Sequence, residues 1–115
     1  MDERFSRTIG VIGEDNFKKL NNSSVIVFGL GGVGGAVCEA LVRSGVGTIA
    51  LVDKDTVDIT NINRQVIATT QTVGMRKTDA AEKRLLSINP DLKVIKYDLF
   101  YLPETADEIN LTEYD

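Results

Sequence analysis

A glycine-rich turn between a strand-like run and a helix-like run constrains this chain more than any other feature. The apolar, β-branched run SVIVFG at 24–29 predicts a strand that is covered on both faces. The segment 32–45, GVGGAVCEALVRSG, predicts a helix, and the apolar run 47–53, GTIALVD, predicts a second strand. A strand, a short helix and another strand in this order predict a parallel pair joined by a right-handed crossover.

Helix-like and strand-like patterns recur through the remaining sequence. Further helices are predicted over 13–22, 76–90 and 103–110, and a third strand is predicted over 92–98. We therefore expect an α/β, Rossmann-like fold, with a mostly parallel open sheet and flanking helices that stops short of the usual strand number. Residues 1–115 would form one unit, with an N-terminal helical arm at 1–22 and a β-α-β-α-β-α core at 23–115.

The helical patterns also predict which faces are buried. In the helix over 32–45, the apolar residues that repeat at helical spacing are Val33, Ala36, Val37, Ala40 and Leu41. In the helix over 76–90, Ala81, Leu85 and Ile88 share one face. Cys38 is expected to be a small core residue and not a nucleophile.

Composition excludes several classes of function. The chain has 115 residues, one cysteine, no histidine and a net charge of −4. A single cysteine cannot form an intrachain disulfide or a CxxC metal site, and a reducing, cytoplasmic location is expected. The acidic balance, with no cationic run, makes the segment a poor nucleic-acid binder on its own. No apolar run is long enough for a membrane helix.

The glycine turn carries the first functional signal. Gly29, Gly31 and Gly34 fit G-x-G-x-x-G directly after a strand, and Gly32 thins the turn further. Such a turn lets phosphate oxygens approach the backbone, where the helix N-terminus offers free N–H donors. Asp53, at the end of the next strand, is placed to accept hydrogen bonds from a ribose diol. These residues predict a nucleotide site but leave the nucleotide open, and on fold alone NAD would lead.

A polar cluster after the second strand shifts the balance towards ATP. Asn61, Asn63, Arg64 and Gln65 lie on an irregular segment, and Lys77 begins a helix. A dinucleotide already has its pyrophosphate on the glycine turn, whereas phosphoryl and nucleotidyl transfer develop charge that extra cations stabilise. The amides would fix the arginine and a substrate carboxylate. The alternatives are a turn cap for the asparagines and solvated charges for the two cations.

With these motifs the chain resembles the ThiF/MoeB superfamily, the adenylating enzymes that include the ubiquitin-activating enzymes. The matching stretches are RFSR, VFGLGGVGG, LVDKDTVDITNINRQ, VGMRK and INP. Within the family, TNINRQ, SGVG and YDLFYLPETAD look most like the tRNA threonylcarbamoyladenosine dehydratases, which activate a carboxylate with ATP and cyclise the modified adenosine.

The resemblance implies roles for individual residues. The glycines would hold ATP phosphates, Asp53 the ribose, and Arg64 and Lys77 would stabilise transfer. The same pocket would include Asp55, Asn61 and Gln65, although Asp55 also fits an ordinary loop acid. Arg7 looks like the arginine that reaches into the partner subunit's site in related dimers. The Mg²⁺ ligand of the family follows the next strand, which places it beyond residue 115, and no metal ligand is assigned here.

The resemblance further implies a homodimer, tRNA as substrate and contacts with sulfur-relay proteins. The segment LFYLP (99–103) is expected to be either a tRNA-facing or dimer-facing loop or a buried one. Activation of a ubiquitin-like sulfur carrier at its C-terminal carboxylate is the alternative substrate. An NAD-dependent oxidoreductase and a catalytically inert nucleotide-binding fragment are the alternatives from other classes.

Overall fold

Three parallel strands form the centre of the molecule. A computed structural model describes residues 2–115. The strands are β1 (Ser24–Phe28), β2 (Thr48–Val52) and β3 (Lys93–Tyr97), in the order β1-β2-β3. They pair in register without a stagger, so that Phe28, Val52 and Tyr97 end side by side at the carboxyl edge of the sheet. The expected Rossmann-like, parallel open sheet is confirmed.

Four α-helices accompany the sheet. They are α1 (Ser6–Ile12), α2 (Glu14–Asn21), α3 (Gly32–Ser44) and α4 (Lys77–Ile88). Short 3₁₀ helices cover Glu3–Phe5, Ile59–Asn61, Ala106–Glu108 and Leu111–Glu113. The helices α2, α3 and α4 match the sequence predictions, whereas α1 falls within the expected helical arm but was not predicted as a separate helix. No helix within 2–115 is long and apolar enough to cross a membrane.

The central strand is the most buried element. After Thr48, every residue of β2 is buried, as expected for a strand covered on both faces. The predicted apolar face of α4 packs into the same core, with Ala81 and Leu85 buried and Ile88 packed against them. Cys38 of α3 lies in this core at 1% exposure. Burial raises the pKa of its thiol to about 12, so the thiol stays protonated at neutral pH.

The predicted buried face of α3 is wrong except at Leu41, which packs against the core. Val33 is 80% exposed and Val37 41% exposed, while α3 buries Cys38, Val42 and the backbone of Gly35. A Cβ at Gly35 would lie 3.4 Å from the carbonyl oxygen of Leu30. The helix therefore approaches the sheet through small residues, which a hydrophobicity pattern underweights beside valines. A helix face of apolar side chains is left at the surface.

The helix predicted over 103–110 is also wrong. This segment forms a turn and then a single 3₁₀ turn over Ala106–Glu108. The Leu102 N–H donates to the Thr105 hydroxyl at 2.9 Å, and that hydroxyl donates to the Phe100 carbonyl. Threonine hydroxyls compete in this way with helical hydrogen bonds. The last predicted α of the core is accordingly not an α-helix.

The N-terminal helices pack at the far end of α3. Phe5 is buried, and its ring centroid lies 5.3 Å from that of Phe17. The Phe17 ring lies so close to Gly45 that a side chain there would collide with it. Gly45 is the C-terminal cap of α3. The contact fixes the N-terminal helices near the amino edge of the sheet.

Candidate functional site

The glycine turn presents free backbone donors at the start of α3. Gly29 has a φ of +86°, which a residue with a side chain rarely adopts. A Cβ at Gly34 would collide with the carbonyl oxygen of Gly29, so the tight turn requires glycine there as well. The N–H groups of Gly32, Val33 and Gly34 have no acceptor among residues 2–115. Three free donors at the N-terminus of a 13-residue helix form a site for an anion.

Asp53 is held beside this turn by two backbone bonds. Its Oδ2 accepts from the Leu30 N–H at 2.8 Å, and its Oδ1 accepts from the Asp55 N–H at 2.8 Å. Each oxygen retains a lone pair for a further donor, because a carboxylate has about four acceptor positions. The predicted ribose acceptor is therefore oriented and only 9% exposed. Asp55 contributes through its backbone, while its side chain is exposed.

Asn61 has the turn-capping role that was the alternative for it. Its Oδ1 accepts from the Asp58 N–H at 2.8 Å, and Asp58 Oδ1 accepts from the Thr60 N–H at 2.8 Å. These reciprocal bonds cap the 3₁₀ helix at Ile59–Asn61. The amide and hydroxyl of Thr60 hold the pKa of Asp58 below its usual value. The Nδ2 of Asn61 makes no hydrogen bond to residues 2–115 and remains available.

Arg64 is oriented without being neutralised. Its Nη1 donates to the Thr60 carbonyl at 2.9 Å and to Asn63 Oδ1 at 2.8 Å. Asn63 thus fixes the arginine as the sequence suggested. No carboxylate of residues 2–115 lies within ion-pair distance of the guanidinium. The positive charge stays available for an anionic ligand.

Gln65 faces the glycine turn from the next position. Its Nε2 lies 3.8 Å from where a Cβ of Gly31 would be, and the residue is 7% exposed. Its Oε1 is the one buried side-chain oxygen or nitrogen within 2–115 that lacks a hydrogen-bond partner. An unsatisfied buried amide costs about 1–3 kcal/mol. The Nε2 makes no hydrogen bond to residues 2–115 and already faces the glycine turn, so it can donate to a phosphate there.

Lys77 is the first residue of α4 and is 7% exposed. Its N–H donates to the Asp55 carbonyl at 2.9 Å, which connects α4 through Asp55 and Asp53 to Leu30 of the glycine turn. Its ammonium makes no ion pair with the described residues. The ammonium nitrogen is not among the buried unpartnered atoms, so an anionic ligand can reach it at the positive end of the helix.

Arg7 does not join the cluster within its own chain. It is exposed on α1, two residues after Phe5, at the end of α3 that carries Gly45. The glycine turn lies at the other end, and 13 helical residues span about 20 Å. An arginine side chain cannot cross that distance. Any contact between Arg7 and such a site would have to come from another copy of the chain.

An aromatic cavity adjoins Asp53, and the sequence pattern did not predict it as part of the site. The cavity is about 250 Å³ and is lined by Phe28, Gly29, Val52, Asp53, Asp55, Leu99, Phe100 and Tyr101. The ring centroids of Phe28 and Tyr101 are 4.9 Å apart. The signal was the aromatic run LFYLP, which was expected to face tRNA or a partner or to be buried. Within 2–115 no group of three acidic or cysteine side chains could hold a metal ion.

Several known proteins are similar to this chain. It is 50% identical over 108 residues to the tRNA threonylcarbamoyladenosine dehydratase of Bacillus subtilis, covering 94% of this chain and 42% of that protein. It is 40% identical over 104 residues to the sulfur carrier protein adenylyltransferase of Thermus thermophilus, covering 90% and 38%. The chain thus spans less than half the length of these relatives.

The similar solved structures include a dehydratase of the same kind as the sequence relatives. The Escherichia coli tRNA N6-threonylcarbamoyladenosine dehydratase in complex with AMP superposes with a TM-score of 0.93 at 36% identity, covering 97% of this chain and 46% of that chain. The same enzyme in complex with ATP gives a TM-score of 0.89 at 37% identity, covering 92% and 44%. The ThiF family model matches residues 5–115. The chain therefore belongs to the ThiF family.

Proposed function

We propose that this chain is the nucleotide-binding part of an enzyme that adenylates a carboxylate with ATP. The observation that carries this proposal is the meeting of free N–H donors with unneutralised cations. A chain of hydrogen bonds connects Leu30 of the glycine turn through Asp53 and Asp55 to Lys77. The carbonyl oxygen of Arg64 lies 3.8 Å from where a Cβ of Gly32 would be. A triphosphate matches such a concentration of positive charge better than a dinucleotide does.

The adjoining groups support a nucleoside beside the phosphates. Asp53 would accept from the ribose hydroxyls, and the aromatic cavity lined by Phe28 and Tyr101 would take the base. Gln65 and the Nδ2 of Asn61 would contact the phosphates or the substrate carboxylate. In this proposal residues 1–22 form a helical arm, and residues 23–115 form the core that holds the nucleotide.

The proposed reaction is the transfer of an adenylyl group from ATP to a carboxylate. A carboxylate oxygen attacks the α-phosphorus of ATP, the bond to the leaving pyrophosphate breaks, and an acyl adenylate forms. Arg64 and Lys77 would stabilise the charge that grows on the pyrophosphate. Mg²⁺, when bound, would neutralise part of the phosphate charge. We propose that its protein ligand lies outside residues 2–115, as the resemblance to the family implies.

We propose threonylcarbamoyladenosine in tRNA as the substrate, with a cytoplasmic location and sulfur-relay proteins as partners. Support comes from the similar dehydratases of Bacillus subtilis, Haemophilus influenzae and Escherichia coli. The second candidate is the C-terminal carboxylate of a sulfur carrier. It is favoured by the 40% identity to the Thermus thermophilus sulfur carrier protein adenylyltransferase.

We also propose a homodimer that uses the exposed apolar face of α3. Val33 is 80% exposed and Val37 41%, and the alanines at positions 36 and 40 lie exposed beside them. A contiguous apolar face at a surface is typical of an interaction site. A second copy could also supply its Arg7 to the site of the first copy, since Arg7 cannot reach the glycine turn of its own chain. Light scattering of the Val37→Asp variant, with the exposed charge change Glu104→Lys as control, tests this proposal.

ATP–pyrophosphate exchange tests the activity. The product of the complete reading frame is assayed with tRNA carrying threonylcarbamoyladenosine, with unmodified tRNA, and with a sulfur carrier ending in a free carboxylate. Exchange that needs the modified tRNA supports the dehydratase, and exchange that needs the carrier supports the second candidate. A protein that shows no exchange and enhances NADH fluorescence on binding would instead be an oxidoreductase.

A further inference from the structure

Asp98 connects the end of β3 to the first turn of α4. It follows Tyr97, the last residue of β3, at the carboxyl edge of the sheet. Its Oδ2 accepts from Arg76 Nη1 at 2.8 Å, and its Oδ1 accepts from the Thr78 hydroxyl at 2.5 Å. Arg76 and Thr78 are the two chain neighbours of Lys77. One carboxylate thus holds the residues on both sides of the buried lysine.

The contact is built into the fold. Thr78 is fully buried at 0% exposure, so its hydroxyl needs a partner inside the protein. Thr78 and Arg76 both lower the pKa of Asp98, the Thr78 hydrogen bond more strongly, and the carboxylate is therefore ionised at neutral pH. A negative charge at the N-terminus of α4 also offsets the unfavourable placement of two cations there.

The other side of this turn is fixed by backbone contacts. Arg76 pairs with Thr56 in an isolated antiparallel bridge, and the Lys77 N–H donates to the Asp55 carbonyl. Residues 76–78 are thus held between the segment that follows β2 and the residue that follows β3. Among residues 2–115, Asp98 is the only charged side chain that bonds both chain neighbours of Lys77, Arg76 through an ion pair and Thr78 through a hydrogen bond.

We infer that Asp98 is a positioning residue, which sets the orientation of Lys77 towards the nucleotide through Arg76 and Thr78. The inference rests on the proposed function, because it assigns Lys77 to the phosphates. Asp98 itself makes no hydrogen bond to the glycine turn or to the polar cluster. A merely structural Asp98 would stabilise α4 without affecting what Lys77 does.

The test combines exchange kinetics with a double-mutant cycle on the product of the complete reading frame. Asp98→Ala should lower the kcat of ATP–pyrophosphate exchange by about tenfold to a hundredfold, since small misplacements of a catalytic group have effects of this size. Asp98→Asn, which still accepts from Thr78, should recover part of the loss. In a Lys77→Ala background, Asp98→Ala should cause almost no further loss. A full additional loss in that background would overturn the inference.

The control is Asp79→Asn, because Asp79 lies in the first turn of α4 together with Lys77. Asp79 accepts from Lys96 at 2.9 Å, and its side chain is 42% exposed against 34% for Asp98. Its removal should leave kcat near the wild-type value. Equal losses in both variants would reduce Asp98 to a helix-stabilising residue and would contradict the inference.

A second readout is independent of adenylation. Trace acetylation followed by mass spectrometry measures the reactivity of Lys77 relative to the exposed Lys83 in the same helix. Asp98→Ala should raise this ratio several-fold, because the first turn would no longer hold Lys77 in its buried position, and Asp79→Asn should leave it unchanged. An unchanged ratio in Asp98→Ala would refute the positioning role. If the wild type shows no exchange, the proposed function fails, while the acetylation ratio still decides the role of Asp98.

Discussion

The two ends of α4 differ in whether their cationic side chains are paired with a carboxylate. Lys77, at the start of the helix, is buried and has no carboxylate partner among the described residues. Arg84, nearer the other end, donates from Nε to Glu39 Oε2 at 2.6 Å, and Arg43 of α3 shares the same carboxylate at 3.0 Å. The seam between α3 and α4, formed by Glu39, Arg43 and Arg84, therefore pairs its two arginines within the fold. At the carboxyl edge of the sheet Arg76 is paired with Asp98, whereas Lys77 and Arg64 have no ion pair among residues 2–115.

This difference distinguishes cations that stabilise the fold from cations that remain available to a ligand. A cation that the fold already pairs contributes to folding stability, and its loss is measured in unfolding. A cation that the fold leaves unpaired contributes little to folding stability, and the effect of removing it is measured in ligand binding and reaction rate. Substitutions at the edge should thus affect function, and substitutions in the seam should affect stability.

The largest effect is expected from removing the unpaired cations. Arg64→Ala and Lys77→Ala should each lower the rate of ATP–pyrophosphate exchange by about 10²–10³-fold, as loss of a preorganised electrostatic partner does. ATP affinity should fall much less, because the charge they stabilise grows as pyrophosphate leaves. Exchange kinetics and calorimetry on the same preparations separate the two quantities.

The exposed Lys83→Ala in α4 provides the control for these variants and should behave as wild type. Lys77→Ala should change the free energy of unfolding of the apo protein little, because the ammonium has no ion pair within residues 2–115 that the substitution could remove. Exchange near the wild-type rate in both edge variants would show that the cluster is not catalytic. A loss of stability in Lys77→Ala would show that Lys77 belongs with the fold-holding residues.

The next effect is expected at the ribose position. Asp53→Ala should weaken ATP binding by about 1.5–3 kcal/mol, the usual contribution of hydrogen bonds to a charged group. Part of the loss would come from the Leu30 and Asp55 N–H groups, which Asp53 now satisfies. Asp53→Asn keeps an acceptor for one of these N–H groups, and comparing the two variants by calorimetry separates loop order from ribose contact. Unchanged ATP affinity in both would reject the role.

The sequence predicted the parts of this edge that depend on local pattern. The glycine turn, the strand before it and Asp53 follow from residue types at short spacing, and each lies where that spacing puts it. The Asp98–Thr78 bond joins residues 20 positions apart, and no periodicity reports it. The buried side of α3 was missed for another reason: both of its faces are small or apolar, and only the close approach at Gly35 decides between them.

Gly34→Ala tests whether the edge can be disturbed without disturbing the fold. The new Cβ would collide with the Gly29 carbonyl, so the turn must shift. We expect a loss of about 1–3 kcal/mol in the free energy of unfolding, the usual cost of overpacking, together with weaker ATP binding. Gly10→Ala, at an exposed helical position where a Cβ meets nothing within 4 Å, is the control and should be tolerated. Full ATP affinity in Gly34→Ala would contradict the shape of the proposed phosphate site.

The smallest effect is expected in the seam, where Glu39→Gln removes the shared carboxylate. The hydrogen bond from Arg84, and then that from Arg43, hold the pKa of Glu39 below its usual value of 4.5 although desolvation opposes them. A depressed pKa in the folded state means that ionised Glu39 stabilises the protein above pH 4.5, and that this contribution is lost as the pH falls through the lowered pKa. Because both arginines are partly exposed, the contribution should be about 0.2–1 kcal/mol.

Urea unfolding of the Glu39→Gln variant and the wild type near neutral pH and near pH ~3 measures this contribution. The variant should be less stable near neutrality, and the gap should narrow in acid, where wild-type Glu39 takes up its proton. Glu108→Gln, which removes an exposed carboxylate without an ion pair among residues 2–115, should show neither effect. ATP affinity should be the same in all three proteins, because Glu39 lies in the middle of α3, away from the free N–H groups at its start. A change in ATP affinity in Glu39→Gln would mean that the seam and the edge are coupled through α3, and the division between fold-holding and ligand-binding charges would not hold.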